Sequence, residues 1–103
     1  MLDSFFEHSS PEVEKRNRIR LTVAAYAYEF HDDPIMSDGE FDELSKKIRP
    51  EVKTGDTPKD RIHDEFFAEE FSPDTGQWIH KHPFPGRVEW LYRRGKQLKW
   101  WNK

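Results

Sequence analysis

The sequence predicts a mostly α-helical fold: an N-terminal antiparallel helical hairpin over residues 11–48, a third helix over 57–71, and a short β-hairpin within a basic, aromatic extension over 77–103. Three observations carry this prediction. Apolar residues recur at spacings of three and four through the first half of the chain, the period of a helix packed on one face. Helix-start signals stand before each of the first three segments. Past residue 86 the period shifts towards two, that of a strand. At 103 residues these segments belong to a single small domain.

The first helix opens at Ser10-Pro11-Glu12, where Ser caps free amides, Pro suits the first helical position and Glu favours the positive helix end. Ile19, Val23, Tyr26 and Phe30 share a face and mark its buried stripe. His31-Asp32-Asp33-Pro34 ends it, because the residue before a proline is pushed out of helical geometry. Ser37-Asp38-Gly39-Glu40 reads as a capping box, followed by Phe41, Leu44 and Ile48 as the stripe of a second helix that stops before Pro50. The short loop between the two helices lays them side by side. Thr57-Pro58 starts the third helix, with Ile62, Phe66 and Phe67 for contact, and Ser72-Pro73-Asp74-Thr75-Gly76 turns the chain after it. Val88, Trp90 and Tyr92 then alternate with Glu89, Leu91 and Arg93, and Arg94-Gly95 supplies a turn towards Leu98 and Trp100. A short amphipathic helix is the competing reading of this last segment.

Hydrophobic residues make up 34% of the chain and charged residues 36%, so the core must draw on the eight Phe and four Trp. No cysteine is present, which excludes disulfides and thiolate metal sites and suits a reducing compartment. Met1 to Glu7 lacks a basic region followed by an apolar run, and no apolar stretch is long enough to span a bilayer. The expected setting is cytoplasmic. From Gln77 onward seven Lys or Arg face the single acid Glu89, whereas residues 1–76 hold ten bases against nineteen acids. An acidic body thus carries a basic, aromatic extension.

One stretch has a closer parallel. The run Tyr26-Ala27-Tyr28-Glu29-Phe30-His31-Asp32-Asp33-Pro34-Ile35-Met36-Ser37-Asp38-Gly39-Glu40-Phe41-Asp42-Glu43-Leu44 resembles, without a gap, the N-terminal Ia domain of NAD-dependent DNA ligases. There, sequences of the form Tyr-x-Tyr-His-x-x-Asp-x-Pro-x-Ile-Ser-Asp-x-Glu-Tyr-Asp-x-Leu join two helices that close over the nicotinamide mononucleotide half of NAD. The resemblance implies Tyr28 as the ring that stacks on nicotinamide, with Asp38 and Asp42 as acidic contacts, and nicotinamide mononucleotide or NAD as a residual ligand. Independently, Tyr28 lies about 200° around the helix from Tyr26 at ~100° per residue, so the two face opposite ways. Asp38 and Asp42 are four apart and share a helix face. Two positions depart from the pattern: Glu29 replaces a His, and Phe41 replaces a Tyr. No Lys-x-Asp-Gly motif is present to accept an adenylate, so the expectation is a non-catalytic binding or accessory module rather than an enzyme. Its small size suits an accessory of DNA metabolism carried by a phage or mobile element, with a protein partner expected; an alternative is an interaction protein that docks on a host protein and inhibits it.

The remaining constellations are weighed against plainer roles. Arg87, Trp90, Tyr92, Arg93, Arg94, Lys96, Lys99 and Trp100 interleave bases with rings, together with Trp101 and Lys103, in the manner of a single-strand nucleic-acid binder. The plainer role packs Trp90, Tyr92 and Trp100 on the helices and pairs the bases with the acidic body. His80 and His82 would share one side of an extended segment, but no third metal ligand is identifiable and surface histidines without metal are expected. Asp32, Asp33, Asp38 and Asp42 read as caps and solvated surface, as do Glu65, Glu69 and Glu70.

Overall fold

A computed structural model describes residues 10–100, so the N-terminal stretch from Met1 and the extension residues Trp101 and Lys103 lie outside the described residues. Four α-helices make up the described chain: α1 (Pro11–His31), α2 (Asp38–Lys47), α3 (Pro58–Glu70) and α4 (Pro85–Gln97), with a 3-10 turn at Gln77–Lys81 before the last. Their starts follow from local chemistry. Ser10 Oγ accepts from the Val13 amide at 3.3 Å, and Thr57 Oγ1 accepts from the Asp60 amide at 3.1 Å. At α2 the capping box is complete, with the Glu40 amide donating to Ser37 Oγ at 3.1 Å and the Ser37 amide donating to Glu40 Oε1 at 3.0 Å. α1 ends on Asp32, whose left-handed φ of 49° breaks the helix and lets the Asp33 amide reach back to the Ala27 carbonyl at 3.0 Å.

The C-terminal β-hairpin is not found. Residues 85–97 form α4, and no strand occurs among the described residues. The alternation of Val88, Trp90 and Tyr92 spans only three positions. In α4, Val88, Tyr92 and Gly95 are buried with Leu91 half-buried beside them, a helical spacing sustained over two turns, while Trp90 stays exposed. Pro85 at the first helical position fits this outcome, and Gly95 sits inside the helix rather than in a turn.

α1 is the centre of the molecule. Every residue from Leu21 to Ala27 is buried, because α2, α4 and the 3-10 turn cover it from different sides. The expected stripe on α1 is therefore half right: Val23 and Tyr26 are buried, but Ile19 and Phe30 are exposed. On α2, Leu44 is buried as expected, Ile48 is buried at the helix end, and Phe41 packs against the core edge. On α3, Phe66 and Phe67 are buried whereas Ile62 is exposed. Phe67, Phe71 and Trp78 pack as an aromatic group of tilted and edge-to-face rings with centroids 5.4–5.6 Å apart.

Two polar networks fasten the helices to one another. Arg18 is buried in α1, where its Nε donates to Glu14 at 2.6 Å, its Nη1 to Asp64 of α3 at 2.9 Å, and its Nη2 to the carbonyls of Arg49 and Val52 at 2.8 and 2.9 Å. Its guanidinium also lies 5.0 Å from the Phe67 ring centroid. At the other end of α1, Glu89 of α4 accepts from the Tyr26 hydroxyl and from Arg93, and sits 2.9 Å from His31 Nε2. Asp33 accepts from the Tyr92 hydroxyl at 2.5 Å and pairs with Lys96 at 2.9 Å. No helix among the described residues is long and apolar enough to cross a membrane.

Candidate functional site

The packing of α1 against α2 opens a cleft of about 280 Å³ between them. Its floor is Ala24 and Ala25 of α1, whose small side chains leave the space, together with the Phe41 ring. Pro34, Ile35 and Met36 of the interhelical loop close one end, and Asp74 to Gln77 form the far wall. Tyr28, Glu29, Asp38, Phe41 and Asp42 all line this one cleft.

Each of these positions has a structural reason. Tyr28 is 58% exposed at the cleft because it projects from α1 on the side away from Tyr26, which stays in the core. Asp38 and Asp42 lie one turn apart at the start of α2 and remain exposed, where carboxylates complement the positive helix end. Phe41 is partly buried and packs against the core, a role that needs a ring and no hydroxyl. Glu29 is not a bare carboxylate. Its Oε1 accepts from Gln77 Nε2 at 3.1 Å and meets His80 Nε2 at 2.9 Å, so the 3-10 turn brings an imidazole to Glu29. Phe30 supports that imidazole from below, with ring centroids 4.8 Å apart.

The electrostatics of the cleft are one-sided. Asp38, Asp42, Asp74 and Glu29 line it, and among the described residues no Lys or Arg does. Such a wall favours a cationic ring and donor hydroxyls over an anionic group.

No protein-family model, curated protein or solved structure matches this chain.

The basic and aromatic residues of the extension separate into two sets. Tyr92, Arg93 and Lys96 are engaged within the fold, through Asp33 and Glu89. Tyr92 is buried, as the plainer role held, but Trp90 and Trp100 are exposed, which it did not hold. Arg87, Trp90 and Arg94 share the outer face of α4, with the Arg87 guanidinium 5.3 Å from the Trp90 ring centroid. Lys99 and Trp100 follow the helix and are exposed.

The two histidines diverge because residues 77–81 are helical rather than extended. His80 turns to Glu29 and Phe30, whereas His82 is buried against His63 and Phe66. His82 is thus not the surface residue expected of it. No group of three metal-ligating side chains occurs among the described residues. Asp33 is a partner of α4 rather than plain solvated surface, and Lys96, followed by the Tyr92 hydroxyl, holds its carboxyl below the usual range.

Proposed function

We propose that this protein is a non-catalytic binding module whose cleft takes the nicotinamide ring and ribose of nicotinamide mononucleotide or NAD, and that it descends from a ligase Ia-type hairpin. The observation that carries this reading is the convergence of Tyr28, Glu29, Asp38, Phe41 and Asp42 on one cleft. An exposed tyrosine ring offers a face to a cationic pyridinium, and two carboxylates a turn apart offer acceptors to ribose hydroxyls. The absence of Lys or Arg from the lining predicts that the phosphate adds nothing to affinity.

NMR titration of the full chain with nicotinamide riboside and nicotinamide mononucleotide tests this. Both ligands should shift resonances around Tyr28, Asp38 and Asp42, the riboside at least as strongly. Tyr28→Ala should weaken binding about tenfold, and silence at millimolar ligand would remove the reading.

The outer face of α4 favours a second reading, a single-stranded nucleic-acid surface made by Arg87, Trp90, Arg94, Lys99 and Trp100. Exposed indoles among cations suit base stacking with phosphate neutralisation. Tryptophan fluorescence should then quench on adding oligothymidine at low salt and recover as salt rises. Equal signals at low and high salt would exclude it.

A further inference from the structure

A second cavity of about 320 Å³ lies elsewhere on the molecule and shares no lining residue with the first. α1, α3 and α4 build it together with the segment before α4. Its walls are apolar, formed by Val23, Phe67, Phe84, Val88 and Leu91 with the exposed Ile19 at its edge. Lys15, Lys59 and Arg87 also line it, against the single acid Asp60.

This balance is unusual for the chain, which is net acidic at −3. It also leaves cations to spare. Lys15 is paired with Asp60 at 3.1 Å, and the guanidinium of Arg18, which reaches the cavity too, is saturated by Glu14, Asp64 and two carbonyls. Among the described residues no carboxylate pairs with the exposed Lys59 or Arg87, and Arg87 meets only the face of the exposed Trp90.

The inner wall carries two imidazoles whose tautomers the backbone fixes. His63 Nδ1 lies 3.0 Å from the Lys59 carbonyl, which can only accept, so the proton is on Nδ1 and Nε2 is an acceptor. His82 Nδ1 accepts from the Phe84 amide at 3.0 Å, so its Nε2 carries the proton and is a donor. Burial holds both rings below the ordinary imidazole range, so neither adds charge to the interior at neutral pH.

We propose that this cavity binds a small apolar carboxylic acid, aliphatic or arylalkyl, with its hydrocarbon part between Phe67, Phe84, Val88 and Leu91 and its carboxylate held by Lys59 and Arg87. A volume of this size falls at the lower end of small-ligand sites, which suits a medium-chain or single-ring acid. A buried hydrocarbon supplies affinity in proportion to the apolar area it loses to water, and the two cations select the acid over its neutral or cationic analogues.

The test uses the full chain at pH 7.5, titrated by NMR with octanoate and 3-phenylpropionate and, in parallel, with octanol and 3-phenylpropylamine. The acids should saturate in the micromolar to millimolar range and shift Ile19, His63, His82, Val88 and Leu91, while the amine leaves them unmoved. Lys59→Gln combined with Arg87→Gln, both at exposed positions that should leave the fold intact, should weaken the acids about tenfold and octanol little. Ile19→Trp should block the mouth and abolish binding. Equal binding of acid and amine, acid affinity unchanged in the double variant, or no shift at ten millimolar acid would each overturn the proposal.

Discussion

Arg18 shows how much one side chain can organise. Its guanidinium satisfies Glu14 and Asp64 and closes the carbonyls of Arg49 and Val52, so that α1, α3 and the 49–54 loop meet on a single group. Glu14 in turn accepts the Arg49 amide with both oxygens at 3.0 Å. Arg18→Met would leave Glu14 a buried carboxylate without its cation, and should cost about 3–5 kcal/mol in urea denaturation. His82 and Glu89 make the acid response of the fold residue-specific. Burial, and to a lesser degree His63, brings the His82 imidazole from 6.5 down to about 4, so between those values the unfolded chain binds a proton that the folded chain does not. Stability should therefore fall as pH falls through that window, by roughly 3 kcal/mol in all. Hydrogen bonds from Tyr26 and His31 take the Glu89 carboxyl from 4.5 to about 2, so its contribution is complete above about pH 4.5 and is lost as pH falls towards 2. Denaturation midpoints from pH 7.5 to 2.5 should show both steps, the upper flattened by His82→Asn and the lower by Glu89→Gln.

At the scale of elements, α4 gives the sharpest prediction. Trp90 is exposed in mid-helix, so Trp90→Pro should report the backbone with little packing loss, and should lower stability by about 3 kcal/mol or more by thermal denaturation. A loss below 1 kcal/mol would be at odds with a helix there. The starts of α1, α2 and α3 were legible in the sequence because a cap is made by residues two or three apart, as Ser37 and Glu40 show. α4 was not, because three alternating residues imitate a strand and only the contact of Tyr92 with α1 decides between the periods. The candidate cleft was legible to the same extent. Tyr28, Asp38 and Asp42 belong to one local hairpin, but the wall from Asp74 to Gln77 and the imidazole that meets Glu29 come from about fifty residues away. The Arg18 network, whose other partners stand 31 to 46 residues off, left only the four-residue spacing of Glu14 and Arg18 as a local sign.

For the molecule as a whole, the acidic body and basic extension do meet, but among the described residues in few places: Lys96 with Asp33, Lys81 with Glu70 and His80 with Glu29. The remaining exposed cations of α4 face outward or towards the second cavity, so the charge asymmetry is a property of surfaces rather than of folding. The buried run from Leu21 to Ala27 has a different consequence, one for heredity. A helix against a single neighbour is constrained only at every third or fourth position and tolerates change between them. Two full turns covered by α2, α4 and the 3-10 turn leave few such outlets: Ala24 and Ala25 border the first cleft and Thr22 and Val23 the second cavity, while Leu21, Tyr26 and Ala27 line neither. A saturation mutagenesis scan read by folding should therefore show its strongest intolerance at Leu21, Tyr26 and Ala27, with tolerant positions at Arg20 and Tyr28. Such a block ties both cavities to the middle of α1, since two of its residues line each, and a change there that survives folding would reshape one cavity or the other.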